Sequence, residues 1–209
     1  MIRPLAETSK KEAMQRTSDE ALNCRRCGLC DGRRNPVMGE GNPDAKVVFV
    51  GEAPGRREDE TGRPFMGAAG QLLERLLTSV GLRREDVYIA NIVKCRPPNN
   101  RPPTPREIEA CSQHLERQLE IIGPRVIAPM GNTAIGWMTN RFGLKSVRIS
   151  VMHGHEIEAE APWGRVVLFP LYHPAAALYT KELEKIMEKD FAALGRLLDG
   201  IDEPTAAAP

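Results

Sequence analysis

The sequence predicts an α/β protein, a three-layer α/β/α sandwich with a central, mainly parallel sheet of about four strands. Apolar, β-branched runs of strand length, such as residues 47–50, have the composition of strands buried on both faces. Amphipathic helical stretches alternate with these runs, which is the pattern of helices covering both faces of a parallel sheet. A chain of 209 residues suits one such domain. We expect that domain to cover residues 1–200, followed by a disordered tail at 201–209.

The composition is that of an ordinary globular protein. Apolar residues make up 41% of the chain and charged residues 27%. The sequence contains no apolar run of about 18 residues and no signal-peptide pattern, so we expect a cytoplasmic protein that does not enter a membrane. The formal net charge of +1 neither indicates nor excludes a nucleic-acid partner, because a basic face can be local.

The amino-terminal region is predicted to be mostly irregular. Residues 1–22 have the pattern of a frayed start followed by a short polar helix, for which Ser18 and Asp19 supply the cap. Residues 24–34 (CRRCGLCDGRR) are too rich in glycine and charge to form a core element. Residues 35–45 contain several Pro and Gly residues and are predicted to form a connector over the surface.

The strand predicted at 47–50 leads into the stretch around which the rest of the chain is organised. GEAPG at 51–55 forms a tight loop at the carboxyl end of that strand. An acidic turn at 58–60 and the sequence GRPF come next, and a helix is predicted over 67–80. Ligands of open α/β sheets bind beyond the carboxyl ends of the strands, so this loop is the expected site. No lysine–hydroxyl pair follows the glycines, which excludes a phosphate cradle of the GxxxxGK[ST] type.

The later part of the chain continues the alternation. The Pro-rich loop at 96–107 cannot be helix or sheet, and Thr104 and Pro105 begin a helix. The other predicted elements are strands at 86–95, 125–131 and 165–174, an alternating apolar and charged segment at 155–160, and helices from 105 to about 122, in a short segment ending at 137, and over 181–199.

Cysteine is the main chemical signal, with five residues at Cys24, Cys27, Cys30, Cys95 and Cys111. An odd number in a chain expected in the cytosol argues against a disulfide framework and favours a metal. The C-x2-C pair together with Cys95 and Cys111 offers four thiolates, which suit either a structural zinc ion or a [4Fe–4S] cluster. The spacing of 24, 27 and 30 also repeats a ferredoxin pattern, so the residues alone leave the fourth ligand open.

Four sequence blocks carry a family resemblance: GEAPG, GRPF followed by GQLL, NIVKCRPP followed by NR, and HPAAAL. In this order, and with this cysteine spacing, they closely resemble the family 4 uracil-DNA glycosylases of bacteria and archaea over about residues 22–198. The resemblance implies the α/β/α fold of those enzymes, excision of uracil from DNA and a structural [4Fe–4S] cluster. The ligands that it implies are Cys24, Cys27, Cys95 and Cys111, which leaves Cys30 as an extra cysteine.

The resemblance also implies a pocket for a flipped uracil. Phe65 matches the stacking residue, and Asn91 can donate to uracil O4 and accept from N3–H, a pattern that cytosine inverts. A neutral His173 would donate a hydrogen bond to O2 of the departing base. Without the resemblance, Phe65 could be an ordinary core residue, Asn91 a core amide bonded to backbone, and His173 an incidental loop residue.

The loop at 51–55 is expected to contribute Glu52, Ala53 and Pro54 to the same pocket. Glu52 matches the family motif and could orient the attacking water and stabilise the positive sugar. Many better-known uracil-DNA glycosylases carry an aspartate where this chain has Ala53, so the assignment of the base stays open, with Glu58 and Asp59 as competitors. An oxocarbenium-like sugar needs little help from a base, so electrostatic stabilisation can supply more of the rate.

DNA contacts are predicted from cations and from one apolar wedge. The cations of the Pro-rich loop are the expected phosphate contacts, namely Lys94, Arg96, Arg101 and Arg106. Arginines beside the cysteines could extend this surface, namely Arg25, Arg26, Arg33 and Arg34. Leu178 or Tyr179 could fill the gap left by the flipped base. The X-type relatives, which trap abasic DNA covalently, carry a histidine-containing insertion in the loop corresponding to 96–106; this loop has no histidine, so we expect turnover.

The sequence therefore predicts a monomeric, monofunctional uracil-DNA glycosylase that acts on single- or double-stranded uracil-containing DNA and leaves an abasic site. One alternative is an enzyme of the same superfamily with broader base choice, for example one that also removes hypoxanthine. Another is a non-catalytic, metal-containing nucleic-acid binding module, against which the joint presence of Glu52, Asn91 and His173 argues. The sequence identifies no docking partner such as a sliding clamp.

Overall fold

The computed structural model describes residues 9–178 and 180–202. Within these residues six strands form one sheet: β1 (Glu40–Gly41), β2 (Val47–Gly51), β3 (Tyr88–Asn91), β4 (Val126–Pro129), β5 (Ile157–Ala161) and β6 (Gly164–Leu168). Their order across the sheet is β1-β3-β2-β4-β6-β5. The four central strands run parallel, and β1 and β5 pair antiparallel at the two edges. The prediction of a mainly parallel sheet is confirmed, but the predicted number of about four strands was too low. The two missed strands, the two-residue β1 and the half-exposed β5, lack the continuous apolar run by which a strand is predicted.

Helices occupy the segments between the strands. They are α1 (Lys10–Leu22), α2 (Leu29–Gly32), α3 (Arg56–Thr61), α4 (Ala68–Ser79), α5 (Pro105–Ile122), α6 (Asn132–Arg141), α7 (Ile149–Met152), α8 (Pro174–Ala177) and α9 (Lys181–Asp202), with a 3-10 turn at Pro98–Asn100. The helices predicted over 67–80, from 105 to 122 and over 181–199 correspond to α4, α5 and α9. The predicted acidic turn at 58–60 is part of α3.

The central strands are buried on both faces, as β2 shows. Val48 and Val50 belong to one apolar core, and Val47 and Phe49 belong to another on the opposite face of the sheet. Residues of α1, α5 and α6 complete the first core, and residues of α4, α8 and α9 complete the second. Because successive side chains of a strand point to opposite faces, a strand between two helical layers must be apolar throughout. The three-layer α/β/α prediction is confirmed.

The amino-terminal helix starts earlier than predicted. Ser9 caps α1 in a capping box with Glu12, whereas Ser18 and Asp19 lie inside the helix. Met14 and its neighbours on the same face are buried where α1 packs against α5. A largely polar helix of this length is stabilised mainly by tertiary packing, which the local sequence does not reveal. The frayed start predicted before this helix, at residues 1–8, lies outside the described residues.

Other differences concern the ends of elements. The strand predicted at 165–174 ends at Leu168, ahead of Pro170, which has no N–H for the sheet ladder. Ile201 and Asp202, predicted to belong to a disordered tail at 201–209, are part of α9, and residues 203–209 lie outside the described residues. None of the helices in the described ranges is long and apolar enough to span a membrane.

Candidate active site

A cavity of about 520 Å³ opens at the carboxyl ends of the parallel strands. Residues 52–55, which follow β2, line this cavity together with Asn91 at the end of β3. Residues 130–133, which follow β4, and His173, which follows β6, complete the lining. Four successive strands of the sheet therefore deliver side chains to one place. This is the edge at which open α/β sheets bind their ligands.

All of the residues predicted for the uracil pocket line this cavity, namely Glu52, Ala53, Pro54, Phe65, Asn91 and His173. Glu58 lines it as well. Asp59 is absent from the described lining residues: it is buried, and its Oδ1 accepts a hydrogen bond from the backbone N–H of Arg34 at 2.9 Å. Asp59 therefore stabilises the amino-terminal connector and does not compete with Glu52.

Phe65 is held in place by the backbone around it. Its φ of 53° lies in the left-handed region, where a bulky residue is strained. The guanidinium of Arg84 donates to the carbonyls of Pro64 and Phe65 at 2.7 and 3.3 Å. A Cβ at Gly70 would lie 1.7 Å from the Phe65 carbonyl oxygen, so only glycine allows α4 to pack this closely. The Phe65 ring, with its centroid 5.5 Å from that of the His173 imidazole, forms one wall of the cavity.

Asn91 brings a buried amide to the cavity. It is the last residue of β3 and is 2% exposed. Its backbone carbonyl accepts from Lys94 Nζ at 2.8 Å, but contacts within the described residues leave its side-chain amide without a hydrogen-bond partner. Its Oδ1 would lie 2.3 Å from a Cβ at Gly51. The amide atoms of Asn91 are not among the fully buried, unpartnered atoms of the described residues, so this group opens to the cavity and can bond a polar ligand there.

His173 is held as a neutral hydrogen-bond donor. Its Nδ1 accepts a hydrogen bond from the N–H of Ala175 at 3.2 Å and caps α8. A ring nitrogen that accepts carries no proton, so the proton of the neutral imidazole lies on Nε2. Burial lowers the pKa of His173 to about 4, against a smaller opposing effect of the Glu58 charge. At neutral pH the residue therefore offers an uncharged Nε2–H.

The first turn of α6, which follows β4, supplies residues that the sequence analysis missed. Thr133 Oγ1 donates a hydrogen bond to Glu52 Oε2 at 2.5 Å, across 81 positions of the chain. Asn132 Oδ1 accepts from the N–H of Ile149 at 3.1 Å and fixes the start of α7. The available signal was the sequence GNT directly after a predicted strand, because the carboxyl ends of parallel strands share one edge.

Glu58 lies between the loop after β2 and the start of α4. Its Oε1 accepts hydrogen bonds from the N–H groups of Met66 and Gly67 at 2.7 and 3.0 Å, at the amino-terminal end of α4. Its Oε2 would lie 2.7 Å from a Cβ at Gly55. The Glu58 carboxylate thus connects the loop after β2 to the segment that carries Phe65, and its Oε1 is occupied by the protein's own N–H groups.

Lys94 is a correction to the predicted DNA surface. It is 1% exposed, and its Nζ donates to Asn91 O at 2.8 Å and to Gln118 Oε1 at 2.7 Å. Burial lowers the pKa of Lys94 to about 7. An amine enclosed in this way cannot reach a DNA phosphate, so that prediction is wrong. Lys94 instead supports the carboxyl end of β3 from within.

The other predicted DNA contacts lie at the surface. Arg96 Nε donates to Asn100 Oδ1 at 2.7 Å, and Arg101 forms a bidentate ion pair with Glu107. Arg101 also lines the rim of the cavity. Leu178 follows α8 and is 41% exposed, so its side chain is accessible from solvent. Tyr179, the other predicted wedge, lies outside the described residues.

A second cavity is lined by all five cysteines, between the amino-terminal segment, the residues after β3 and α5. Cys95 and Cys111 are buried. Arg33 Nη1 donates to Cys95 Sγ at 3.2 Å, and the backbone N–H of Lys94 donates to Cys111 Sγ at 3.2 Å. Burial raises the pKa of the Cys111 thiol to about 11. Burial also raises the pKa of the Cys95 thiol, and the nearby Cys27 and Cys24 raise it further.

Cys30 differs from the other four cysteines. Its thiol donates a hydrogen bond to the carboxylate of the adjacent Asp31 at 3.4 Å, and this hydrogen bond is exposed to solvent. In the described part of the chain, no three His, Cys, Asp or Glu side chains close around a single metal ion.

Comparison with known proteins identifies the family. The model of the uracil DNA glycosylase superfamily matches residues 38–195. The chain is 51% identical over 187 residues to the type-4 uracil-DNA glycosylase of Archaeoglobus fulgidus, covering 89% of this chain and 93% of the relative. It is 46% identical over 185 residues to that of Thermotoga maritima (87% and 93% covered) and 43% identical over 187 residues to that of Sulfurisphaera tokodaii (89% and 85% covered). The chain therefore belongs to the uracil DNA glycosylase superfamily, among its type-4 members.

Proposed function

We propose that this protein is a monofunctional uracil-DNA glycosylase that hydrolyses the bond between uracil and deoxyribose, releases free uracil and leaves an abasic site in DNA. One observation carries the proposal. An aromatic ring (Phe65), an amide that no described residue bonds (Asn91) and a neutral N–H donor (His173) line one cavity at the carboxyl edge of the sheet. The type-4 relatives are similar to this chain over nearly its whole length, and their names state the same activity.

Base choice is assigned to Asn91 and Phe65. The Asn91 side chain has one carbonyl and one NH₂ group, so it can accept from uracil N3–H while donating to uracil O4. Cytosine presents an acceptor and a donor in the reverse order, which leaves both hydrogen bonds unmade. The ring of Phe65 supplies the stacking surface that a flipped base needs once it has left the duplex.

Bond cleavage is assigned to His173 and Glu52. As the bond from the sugar C1′ to N1 breaks, its electron pair leaves with uracil, and His173 Nε2–H stabilises the negative charge that develops at O2. The C1′ cation takes the oxygen of a water that Glu52 orients. One water proton goes to Glu52 or solvent, and the uracil anion takes up a proton after release. The hydroxyl of Thr133 holds the Glu52 carboxylate in position.

The proposal includes a [4Fe–4S] cluster bound by Cys24, Cys27, Cys95 and Cys111. Four thiols around one cavity meet the ligand requirement of the cluster, and N–H donors directed at the sulfurs of Cys95 and Cys111 are typical of the surroundings of such ligands. Cys30 is bonded to its own neighbour and is the cysteine left over. When bound, the cluster would join the amino-terminal segment to α5 and support the fold.

DNA is proposed to approach across the rim of the cavity. Arg101 lines this rim, and Arg96 is bonded to Asn100, which lines it as well; both arginines would contact phosphates, and Leu178 would fill the space left by the flipped nucleotide. We propose that the protein acts as a monomer in the cytoplasm, where uracil-containing DNA in single or double strands is its substrate.

The test is excision from a defined oligonucleotide. The protein is incubated with an oligonucleotide containing one uracil and then with alkali, and strand scission at the uracil is the expected result. Matched oligonucleotides with thymine, cytosine or hypoxanthine at that position measure base choice. His173→Ala should slow single-turnover excision roughly a hundred- to a thousandfold, the usual effect of losing one such donor.

Three results would contradict the proposal. Scission confined to hypoxanthine would assign another base, and DNA binding without release of any base would support a non-catalytic module. If His173→Ala kept the wild-type rate and only weakened affinity, measured at one fixed salt concentration, His173 would position DNA rather than stabilise the leaving base.

A further inference from the structure

The inference starts from a buried histidine beside the cysteines. His114 lies on α5, lines the cysteine cavity and is 5% exposed. Its Nε2 is buried and has no hydrogen-bond partner among the described residues. Buried polar atoms in native proteins nearly always have a partner, and an orphaned one costs free energy. The nitrogen therefore points to an atom that the described residues do not supply.

The burial of Nε2 indicates on which side of the His114 ring that atom lies. His114 also borders a polar surface cleft lined with charged residues of α1 and α5, including Glu20, Arg117 and Glu120. An atom facing that cleft would be accessible to solvent, whereas Nε2 is not. The cysteine cavity is the buried side of the ring. The sulfurs of a cluster only accept hydrogen bonds, so an acceptor on that side is bonded by the ring when its proton lies on Nε2.

We infer that His114 Nε2–H donates a hydrogen bond to a sulfur atom of the iron–sulfur cluster and that this bond helps to retain the cluster. The inference rests on the cluster of the proposed function. It makes His114 a positioning residue, because the four thiolates already complete the ligand set.

Two neighbouring contacts favour sulfur as the acceptor. Arg33 Nη1 and the backbone N–H of Lys94 already donate to Cys95 Sγ and Cys111 Sγ at 3.2 Å each. His114 would add a third N–H on the α5 side of the same cavity. Hydrogen bonds from residues around the ligands commonly decide how tightly a metal group is held.

The first test measures cluster retention in the loaded protein. Wild type, His114→Leu, His114→Phe and His114→Gln are purified without oxygen, and loss of the absorbance near 400 nm is followed after addition of an iron chelator. The two variants without an N–H should lose the cluster roughly tenfold faster, the lower end of the usual effect of such residues. His114→Gln, which keeps an N–H, should approach wild type. Gln113→Leu, at the exposed neighbouring position, is the matched control and should not change the rate.

The second test detects the hydrogen bond itself. Resonance Raman spectra of the Fe–S stretching modes in H₂O and D₂O should show a shift in wild type that becomes smaller in His114→Leu and His114→Phe and persists in His114→Gln. Equal retention and an equal isotope shift in all variants would overturn the inference. Conversion of the cluster to a three-iron form in the variants would also overturn it, because His114 would then be a ligand. A wild-type protein that binds zinc or no metal would instead refute the proposed cluster.

Discussion

The N–H of Ala175 donates to His173 Nδ1, and this one contact decides which nitrogen of the ring can act on a ligand. Similar single contacts define the other side chains of the site. Thr133 orients one oxygen of Glu52, and the Asn91 amide, which bonds none of the described residues, is available to a ligand. The chemistry of the site is therefore set by the state of each group as well as by its identity.

Asn91→Asp tests base reading. The change replaces the NH₂ donor by an acceptor, so uracil O4 loses its hydrogen bond and meets a negative charge. Uracil excision should fall by the equivalent of about 1–3 kcal/mol, the cost of a buried hydrogen-bond mismatch, while discrimination against cytosine weakens. Single-turnover rates on matched uracil and cytosine oligonucleotides measure both effects. Unchanged uracil excision by the variant would show that another residue reads the base.

Thr133→Val tests the support of Glu52. Valine has the shape of threonine but cannot donate to Glu52 Oε2, so the carboxylate loses a charge-assisted hydrogen bond. The chemical step should slow roughly tenfold, which corresponds to about 1.4 kcal/mol, with DNA affinity unchanged. Thr133→Ser keeps the hydroxyl and should restore most of the rate. Equal rates for the valine variant and wild type would remove Thr133 from the mechanism.

The lowered pKa of His173 predicts that the folded protein loses stability as the solution becomes acidic. Its pKa is about 4 in the folded protein and near 6.5 in its ordinary state. Between these values the unfolded chain binds a proton that the folded protein does not, so stability falls as pH decreases from 6.5 to 4. In His173→Gln this site is gone, and the melting temperature should fall less over the same interval. Calorimetry of both proteins across that interval is the measurement, and parallel curves would contradict the assigned neutral state.

At the scale of elements, the carboxyl-edge loops approach each other so closely that particular positions have no room for a side chain. A Cβ at Gly51 would meet Asn91 Oδ1 at 2.3 Å and the Phe65 ring at 3.0 Å. Gly131 has a φ of +87°, and a Cβ there would lie 3.3 Å from that of His173. The end of β2 and the loop after β4 thus set the spacing of the side chains that line the cavity.

Gly51→Ala tests this spacing. The added methyl group must displace both the Asn91 amide and the Phe65 ring, and overpacking of this kind typically costs about 1–3 kcal/mol. Excision should be strongly reduced, and the melting temperature should fall moderately. Gly136→Ala in α6 is the matched control, since a Cβ there meets nothing within 4 Å and alanine favours helix. Wild-type excision by Gly51→Ala would mean that the two side chains can move without loss of function.

At the scale of the whole molecule, the two sites are joined by the few residues at the carboxyl end of β3. Asn91 ends this strand in the active-site cavity, and Cys95 follows four residues later in the cysteine cavity. Lys94 lies between them, bonded to Asn91 O through Nζ and to Cys111 Sγ through its N–H. The segment that joins the two sites is thus short and fully buried, so damage at the cysteines is expected to reach the base pocket.

Cysteine variants test the ligand set and this connection. Cys111→Ser should lose the broad absorbance near 400 nm that is typical of a [4Fe–4S] centre, melt at a lower temperature and excise uracil more slowly, because the amino-terminal segment and the residues after β3 lose their link. Cys30→Ser should keep the colour, the iron content and the rate. A colourless Cys30→Ser protein would show that Cys30 is the fourth ligand, and a colourless wild type with one bound zinc would exclude the cluster.

The sequence by itself determined the features that depend on local periodicity. The apolar run of β2, the helices α4, α5 and α9 and the placement of Glu52 and His173 at strand ends follow from side-chain periods of two and 3.6 and from turn residues. Asn91 was predicted inside a strand over 86–95, and the structure shows that this strand ends at Asn91. The family motifs named the cavity residues and the cysteines in the same way, because each motif is a short continuous stretch.

Only the tertiary structure decided the features that depend on contacts between distant parts of the chain. It turned Lys94 inward to Gln118, placed α1 against α5, brought Thr133 to Glu52 and buried His114 Nε2 beside the cysteine cavity without a partner among the described residues. The local sequence around Lys94 resembles that of an exposed basic loop, and the sequence around His114 that of an ordinary amphipathic helix. Whether a polar group is solvated, bonded or orphaned depends on which atoms the fold brings within about 3 Å of it, and no local pattern contains that information.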